Sequence, residues 1–160
     1  QVVINKPGSI PMHACGGYRF ASVVSILRSE HPELPRLHCV NRLDRLTSGV
    51  VVLGKNPKIA HRLTNLIRDG RTSKTYLALV DGLFPNAAFP APLQCHDFKR
   101  GGYGVHPSGK KCETIFEPLV YDGKRTLVQC TPVTGRTHQI RVHLQWLGHP
   151  IWNDPNYNDD

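Results

Sequence analysis

The chain has 160 residues, of which 39% are hydrophobic, enough for one domain with a substantial core. Its twenty Lys and Arg residues against twelve Asp and Glu residues give a net charge of +8, which favours a polyanionic partner. No apolar run is long enough for a membrane span, and the N-terminus lacks a signal-peptide pattern, so we expect a non-membrane, intracellular protein.

The first third of the chain predicts three strands and one helix. Residues 2–4, 37–40 and 49–53 are short apolar runs typical of strands, and the first ends at a Lys-Pro-Gly loop. A helix over residues 20–29 is predicted by four apolar residues at helical spacing, Phe20, Val23, Val24 and Leu27.

The next two elements have clearer boundaries. Asn56 and Pro57 offer a helix cap and a first-position proline, and Gly70 stops the helix. Its predicted buried stripe consists of Ile59, Leu63, Leu66 and Ile67. Residues 75–80 alternate as a strand does, with Tyr76, Ala78 and Val80 on one face and Leu77 and Leu79 on the other.

The second half begins with a segment rich in Pro and Gly, residues 83–110, which predicts a long flexible connection or a hairpin. Strands are predicted at 113–119 and 126–131, and a helix at 138–147 that Gly148 closes. Strands outnumber helices, so we expect an α+β fold with a mixed, mostly antiparallel sheet and flanking helices.

Five cysteines, at 15, 39, 95, 112 and 130, form no CxxC pair. Their odd number, and the position of two or three of them on apolar strand-like runs, indicate buried, reduced thiols and no disulfide framework.

The stretch RLDRLTSG places one carboxylate, Asp44, between Arg42 and Arg45 on a short loop before an apolar strand. The flanking cations favour the ionised carboxylate, which can act as a nucleophile or base. A structural aspartate that organises its own turn is the competing interpretation, and spacing alone favours it.

Two further stretches carry candidate residues. In SKTYLA, Tyr76 follows Lys74 and could stack on a nucleobase, although such tyrosines are more often core residues. In TGRTHQIRVH, a glycine turn and a threonine cap open a helix on which His138 and Arg141 share a face suited to a phosphate or carboxylate. His138 and His143 are not at metal-ligand spacing and no HExxH is present, so no metal site is predicted.

Taken together, four blocks in order resemble the RluA-type pseudouridine synthases along nearly the whole chain: VINKPGSIPMH, NRLDRLTSGVVVLGK, SKTYLALVDG and TGRTHQIRVHLQWLGHPIWNDPNY. The phrasing is most similar to the eukaryotic branch that acts on tRNA and, in some members, mRNA. The resemblance implies a synthase fold with a central RNA-binding cleft, in which a catalytic domain spans residues 1–160 and is trimmed at its C-terminus.

By the same resemblance, Asp44 falls on the catalytic aspartate, Tyr76 on the active-site tyrosine and Arg141 on the arginine that pairs with the catalytic carboxylate. Arg42 falls on an arginine that holds or displaces the flipped nucleotide. We expect Arg45, Arg136, His138 and Lys74 to contribute to RNA binding. The implied partner is tRNA, with mRNA or rRNA as further candidates, and the implied enzyme is a monomer that needs no cofactor.

The chain departs from the family pattern where Asn41 replaces a usual histidine, and we expect tuning of the loop rather than loss of activity. Two other functions stay open. A non-catalytic RNA-binding or RNA-chaperone domain could share this fold, and an intracellular hydrolase could use His138 or His143, although no GxSxG motif is present.

Overall fold

The predicted α+β class is confirmed in a computed structural model that describes residues 1–91, 93–97 and 102–158. These residues contain nine strands and three helices, and each strand pair among them is antiparallel. The chain divides into two units, Gln1–Thr72 and Ser73–Asp160.

The first unit is a three-stranded sheet with two helices. Its elements are β1 (Val2–Lys6), α1 (Val23–Glu30), β2 (His38–Cys39), β3 (Gly49–Gly54) and α2 (Pro57–Arg68). β3 lies between β1 and β2, and its side chains Val51 and Leu53 are fully buried. A Cβ on Gly54 would lie 2.7 Å from the backbone nitrogen of Ala60, so the glycine allows α2 to pack closely on the sheet.

The start of α2 was predicted correctly from the sequence, and the start of α1 was not. The Asn56 side chain accepts a hydrogen bond from the Ile59 N–H and Pro57 begins α2, which confirms both predictions. The predicted start of α1 is wrong: Phe20 lies before the helix and is 84% exposed. The helix instead begins at Val23, where the hydroxyl of Ser22 accepts a hydrogen bond from the Ser25 N–H and caps it.

The second unit contains a four-stranded sheet, a two-stranded sheet and one helix. Its elements are β4 (Tyr76–Asp81), β5 (Ala87–Pro90), β6 (Leu93–Asp97), β7 (Gly102–Val105), β8 (Glu113–Tyr121), β9 (Arg125–Pro132) and α3 (Gln139–Trp146). The larger sheet has the order β4-β9-β8-β5, and β6 pairs with β7. Leu144 of α3 packs into a buried cluster with side chains of β4, β8 and β9, among them Val80, Phe116 and Val128.

The Pro- and Gly-rich segment 83–110 was predicted to be either a long flexible connection or a hairpin. It contains a hairpin, because β6 and β7 are antiparallel neighbours. It also supplies β5, an edge strand of the larger sheet that the sequence did not predict. Residues 92 and 98–101 of this segment lie outside the described residues.

The cysteine prediction is partly confirmed. Cys112 and Cys130 are buried free thiols, and burial raises the pKa of Cys130 to about 12. Cys15 is exposed, which corrects the expectation for that residue, and Cys39 is half-buried. The side chain of Cys95 lies outside the described residues. None of the described helices is long and apolar enough to cross a membrane.

Charge is distributed unevenly between the two units. Gln1–Thr72 holds eleven Lys and Arg residues against four acids, a net charge of +7. Ser73–Asp160 holds nine against eight, a net charge of +1. The first unit therefore carries nearly all of the positive charge expected to attract a polyanion.

Candidate active site and RNA interface

The loop that carries Asp44 joins β2 to β3 and is fixed at both ends. The side chain of Asn41 donates to the Val50 carbonyl at 3.1 Å and accepts from the Val52 N–H at 2.8 Å. Within the loop, the Thr47 N–H donates to the Asp44 carbonyl at 3.1 Å. The half-buried Asp44 side chain thus stands on a short turn anchored to a strand of the sheet.

A buried lysine lies beneath this loop. Lys6, the last residue of β1, is fully buried, and its ammonium donates to the carbonyls of Pro7 and Ile10 at 2.8 Å and of Arg45 at 3.2 Å. Burial lowers the pKa of Lys6, and the negative charge of Asp44 opposes that shift. Lys6 therefore ties the Lys-Pro-Gly loop to the catalytic candidate and adds a third cation near it.

The burial of Lys6 follows from its position in the sequence. Burial alternates along β1, so Lys6 shares the inward face of Val2 and Ile4. The following loop also approaches the Asp44 loop closely, because a Cβ on Gly8 would lie 3.1 Å from the Leu46 carbonyl oxygen. A lysine at an inward strand position next to a glycine loop marks a buried ammonium that needs carbonyl partners.

The two arginines beside Asp44 are exposed. The Arg45 guanidinium carbon lies 5.7 Å from the centroid of the Tyr18 ring, within the range of a cation–π contact. Both side chains are therefore accessible from solvent.

The exposed side of α2 forms a groove of about 480 Å³ in which three cations outnumber one acid; it is lined by Lys58, His61, Arg62, Asn65, Leu66, Asp69 and Arg71. Arg68 lies outside the groove, and its Nε pairs with the Asp69 carboxylate at 3.1 Å. We call the Lys58, Arg62 and Arg71 set the α2 cations.

In the second unit, Tyr76 is the first residue of β4 and lies opposite Cys130 of β9. It is half-buried and packs against the core cluster, while its neighbour Leu77 is 64% exposed. The alternation predicted for this strand is confirmed. Lys74, just before the strand, has its ammonium 3.6 Å from the position of a Cβ on Gly135, so it lies beside the loop that opens α3.

The predicted threonine cap of α3 is wrong. The residue at the N-cap is His138, which has a φ of 56° and makes no side-chain cap hydrogen bond. The Gln139 carboxamide organises the loop instead: its oxygen accepts from the Thr134 hydroxyl and the Arg136 N–H, at 2.8 and 2.9 Å. Its nitrogen donates to the Glu113 carbonyl at 2.8 Å, so the loop is fastened to β8.

Arg141 of α3 is held by an acid that the sequence did not single out. Its Nε donates to one carboxylate oxygen of Asp154 at 2.7 Å, and its Nη2 donates to the other at 2.8 Å. The guanidinium also lies over the Tyr157 ring, at 4.8 Å from the centroid. Burial raises the pKa of Asp154, but hydrogen bonds from Arg141 and the Asn156 N–H outweigh it and leave that pKa lowered.

His138 and Arg141 both contact Tyr157, in agreement with the prediction that the two residues share a face. The Nδ1 atom of His138 and the hydroxyl of Tyr157 are 2.7 Å apart, and that hydroxyl also accepts from the Tyr103 N–H at 3.0 Å. Asp154 and Tyr157 both lie in the stretch NDPNY, which was the one signal available for them.

Comparison with known proteins decides the family. The model of the RNA pseudouridylate synthase family matches residues 1–146. The chain belongs to this family. Human pseudouridylate synthase RPUSD2 is 48% identical over 159 residues, which cover 98% of this chain and 29% of that protein. The mitochondrial tRNA pseudouridine(32) synthase of Saccharomyces cerevisiae is 41% identical and covers 99% of this chain and 35% of its own length.

A solved structure supports the same fold. Human RNA Pseudouridylate Synthase Domain Containing 4 matches with a TM-score of 0.79 and 29% identity, over 99% of this chain and 66% of that one. The chain therefore has the pseudouridine synthase fold, but it spans only about a third of the length of the human and yeast relatives.

His143, one of the two histidines considered for a hydrolase, lies in the interior of the fold. His143 is fully buried, with its Nδ1 at 2.9 Å from the Thr114 hydroxyl and its Nε2 at 3.2 Å from the Ala91 carbonyl. Burial lowers the pKa of His143, although its hydrogen bond to Ala91 opposes the shift. Within the described part of the chain, no group of three or more potential metal ligands occurs.

Proposed function

We propose that this chain isomerises uridine to pseudouridine in RNA and that Asp44 is the catalytic carboxylate. The observation that carries the proposal is the RLDRLTSG loop of a synthase family member, with Asp44 as the sole acid between Glu33 and Asp69. Isomerisation breaks the C–N glycosidic bond and forms a C–C bond at the same sugar carbon. An ionised carboxylate assists the cleavage, as a nucleophile or as a base.

Other residues act on the same uridine. Arg141 pairs with the carboxylate of Asp44 and keeps it charged, and Tyr76 stacks on the detached uracil while it turns. Arg42 holds or displaces the nucleotide that is flipped out of the RNA. Phosphates and bases around that nucleotide meet four more side chains, Arg45, Lys74, Arg136 and His138. The reaction needs no cofactor, and the enzyme works as a monomer.

The substrate class is structured RNA, with tRNA first. The concentration of positive charge in Gln1–Thr72 supports a polyanionic substrate. The yeast relative is named for tRNA, and an Escherichia coli relative that is 41% identical is named for the large ribosomal subunit. Pseudouridine mapping across all cellular RNA, with and without the protein, distinguishes tRNA from rRNA and mRNA.

The decisive test is Asp44→Asn in a single-turnover assay that follows tritium released from C5 of uracil in labelled tRNA. We expect the variant to bind tRNA and release no tritium above background. Glu33→Gln is the matched control, because Glu33 is an exposed acid outside both the Asp44 loop and the α2 groove. A near-normal rate for Asp44→Asn contradicts the catalytic assignment, and tRNA binding without isomerisation by the wild-type chain favours the RNA-binding alternative.

The pairing of Arg141 with Asp44 has its own test. If they pair, the effects of Arg141→Met and Asp44→Asn on unfolding free energy are non-additive by about 0.5–3 kcal/mol, because both changes remove the same contact. The loss of the Arg141–Asp154 pair belongs to the Arg141→Met change alone and cancels in the cycle. Arg141→Lys should also slow the reaction, since lysine lacks the planar fork that binds two oxygens. Additive effects together with normal turnover contradict the pairing.

A further inference from the structure

A fully exposed loop separates β1 from α1. Each of residues 13–21 is exposed, while Met12 and Ser22 on either side are 4% and 0% exposed. The ends of the loop are drawn together because the N–H groups of Val23 and Val24 donate to the carbonyls of Pro11 and Met12, at 2.9 and 3.3 Å. Such closed surface loops are frequently functional, and this one is not needed to fill the core.

The loop presents the aromatic ring of Phe20 almost fully to solvent. Phe20 is 84% exposed, the highest value among the large hydrophobic residues that the structure shows as exposed. Its position is fixed from both sides, since the Ser25 hydroxyl donates to the carbonyl of Arg19 at 3.4 Å and Ser22 caps α1. The ring is accessible to a binding partner, and covering it would contribute favourable free energy.

The surroundings of Phe20 fit a nucleobase better than a protein surface. The rest of the loop consists of small residues, glycines and the polar or cationic side chains of His13, Tyr18 and Arg19, so it offers no contiguous apolar patch. No acid occurs before Glu30 in the sequence. An exposed aromatic ring beside cations is the arrangement with which proteins stack unpaired bases.

The loop is also tied to the catalytic candidate. The ring of Tyr18 lies under the Arg45 guanidinium, and Arg45 is the neighbour of Asp44. We propose that Phe20 stacks on an unpaired base of the substrate RNA near the target uridine and that the Tyr18–Arg45 contact keeps this stack beside the Asp44 loop. This inference rests on the proposed function, because it assigns a second contact to the same RNA.

The test uses a stem–loop RNA that contains single 2-aminopurine substitutions, placed in turn at each unpaired position. Stacking on an aromatic ring changes the fluorescence of 2-aminopurine, so we expect a change at one position with the wild-type chain. Phe20→Ala should abolish that change and weaken affinity roughly 5- to 150-fold, the range for one base stacked on an aromatic ring. Phe20→Trp should retain both, and Phe20→Leu should lose both although it stays apolar.

Trp146→Ala is the matched control, because Trp146 is 61% exposed and lies at the end of α3. Equal affinity of Phe20→Ala and the wild-type chain overturns the stacking, as does full affinity of Phe20→Leu. Tritium release by the wild-type chain shows whether the proposed function holds independently: a chain that stacks the probe without releasing tritium refutes the activity and not the stack.

Discussion

Arg141 and Asp154 form a bidentate ion pair whose side chains are only 10% and 5% exposed. Asp154→Asn should destabilise the protein by about 3–5 kcal/mol, because it removes the charged partner that accepts two hydrogen bonds from the buried Arg141 guanidinium. Urea unfolding measures the loss, and Asp69→Asn is the control, since the Arg68–Asp69 pair is exposed and worth little. Equal losses in the two variants would argue that the buried pair contributes nothing special.

The same pair predicts a pH dependence of stability. Because the pKa of Asp154 is lowered in the folded protein, the unfolded chain binds its proton more readily. The stabilisation is fully present above the unfolded-state pKa, about 3.9 for an aspartate, and is lost as the pH falls through the folded-state pKa. The difference in unfolding free energy between wild type and Asp154→Asn should shrink as the pH is lowered from about 6 to about 3, and a constant difference would contradict it.

Tyr76 is predicted to act through its ring first. Tyr76→Phe keeps the ring and should retain more of the single-turnover rate than Tyr76→Leu, which keeps only apolar volume. If Tyr76→Phe is itself slowed about 10²- to 10⁴-fold, the hydroxyl transfers a proton, as general acid–base groups do. Thermal unfolding must accompany these assays because Tyr76 packs on the core. Similar rates for Phe and Leu would show that the ring has no specific role.

Lys6 is predicted to hold the Asp44 loop in place. Lys6→Met fills the same space but leaves three carbonyls without their donor, so we expect a loss of stability on the order of 1–3 kcal/mol and a slower reaction. RNA affinity should change little, because Lys6 is buried and cannot reach a phosphate. The control is Lys55→Met, at an exposed lysine of the same unit. Unchanged stability and turnover in Lys6→Met would contradict this role.

The α2 cations are predicted to bind RNA phosphates. Each of Lys58→Ala and Arg62→Ala should reduce the slope of log affinity against log salt by about 0.7, the value for one contact on single-stranded RNA. Arg68→Ala should leave the slope nearly unchanged, since Arg68 lies outside the groove and is paired with Asp69. A common slope for all three variants would exclude the groove as the electrostatic binding face.

Sequence reasoning succeeded where the causes of structure are local. The cap of α2 depends on Asn56 and Pro57 alone, and the two faces of β4 follow from alternation within six residues. It failed where the partner is distant. The start of α3 is set by Gln139, whose carboxamide reaches β8, and β5 exists because it pairs with a strand about 26 residues later.

The candidate site shows the same division. Asp44 stood out because its charge contrasts with the two neighbouring arginines, whereas Lys6 reaches the Asp44 loop only through the carbonyl of Arg45, 39 residues away. In the sequence, Asp154 is one of several acids near the C-terminus, and only the folded structure shows that it pairs with Arg141. Sequence spacing cannot identify a residue that positions another residue when the two belong to different elements.

The concentration of charge in Gln1–Thr72 also affects how fast RNA is captured. A net charge of +7 on 72 residues attracts a polyanion before any specific contact forms, so association should be rapid in dilute salt and slow steeply as salt is added. Dissociation depends on short-range contacts and should respond far less. The basic unit therefore makes the encounter with RNA sensitive to the ionic environment, while the lifetime of the complex is set by the stacked and hydrogen-bonded groups around the uridine.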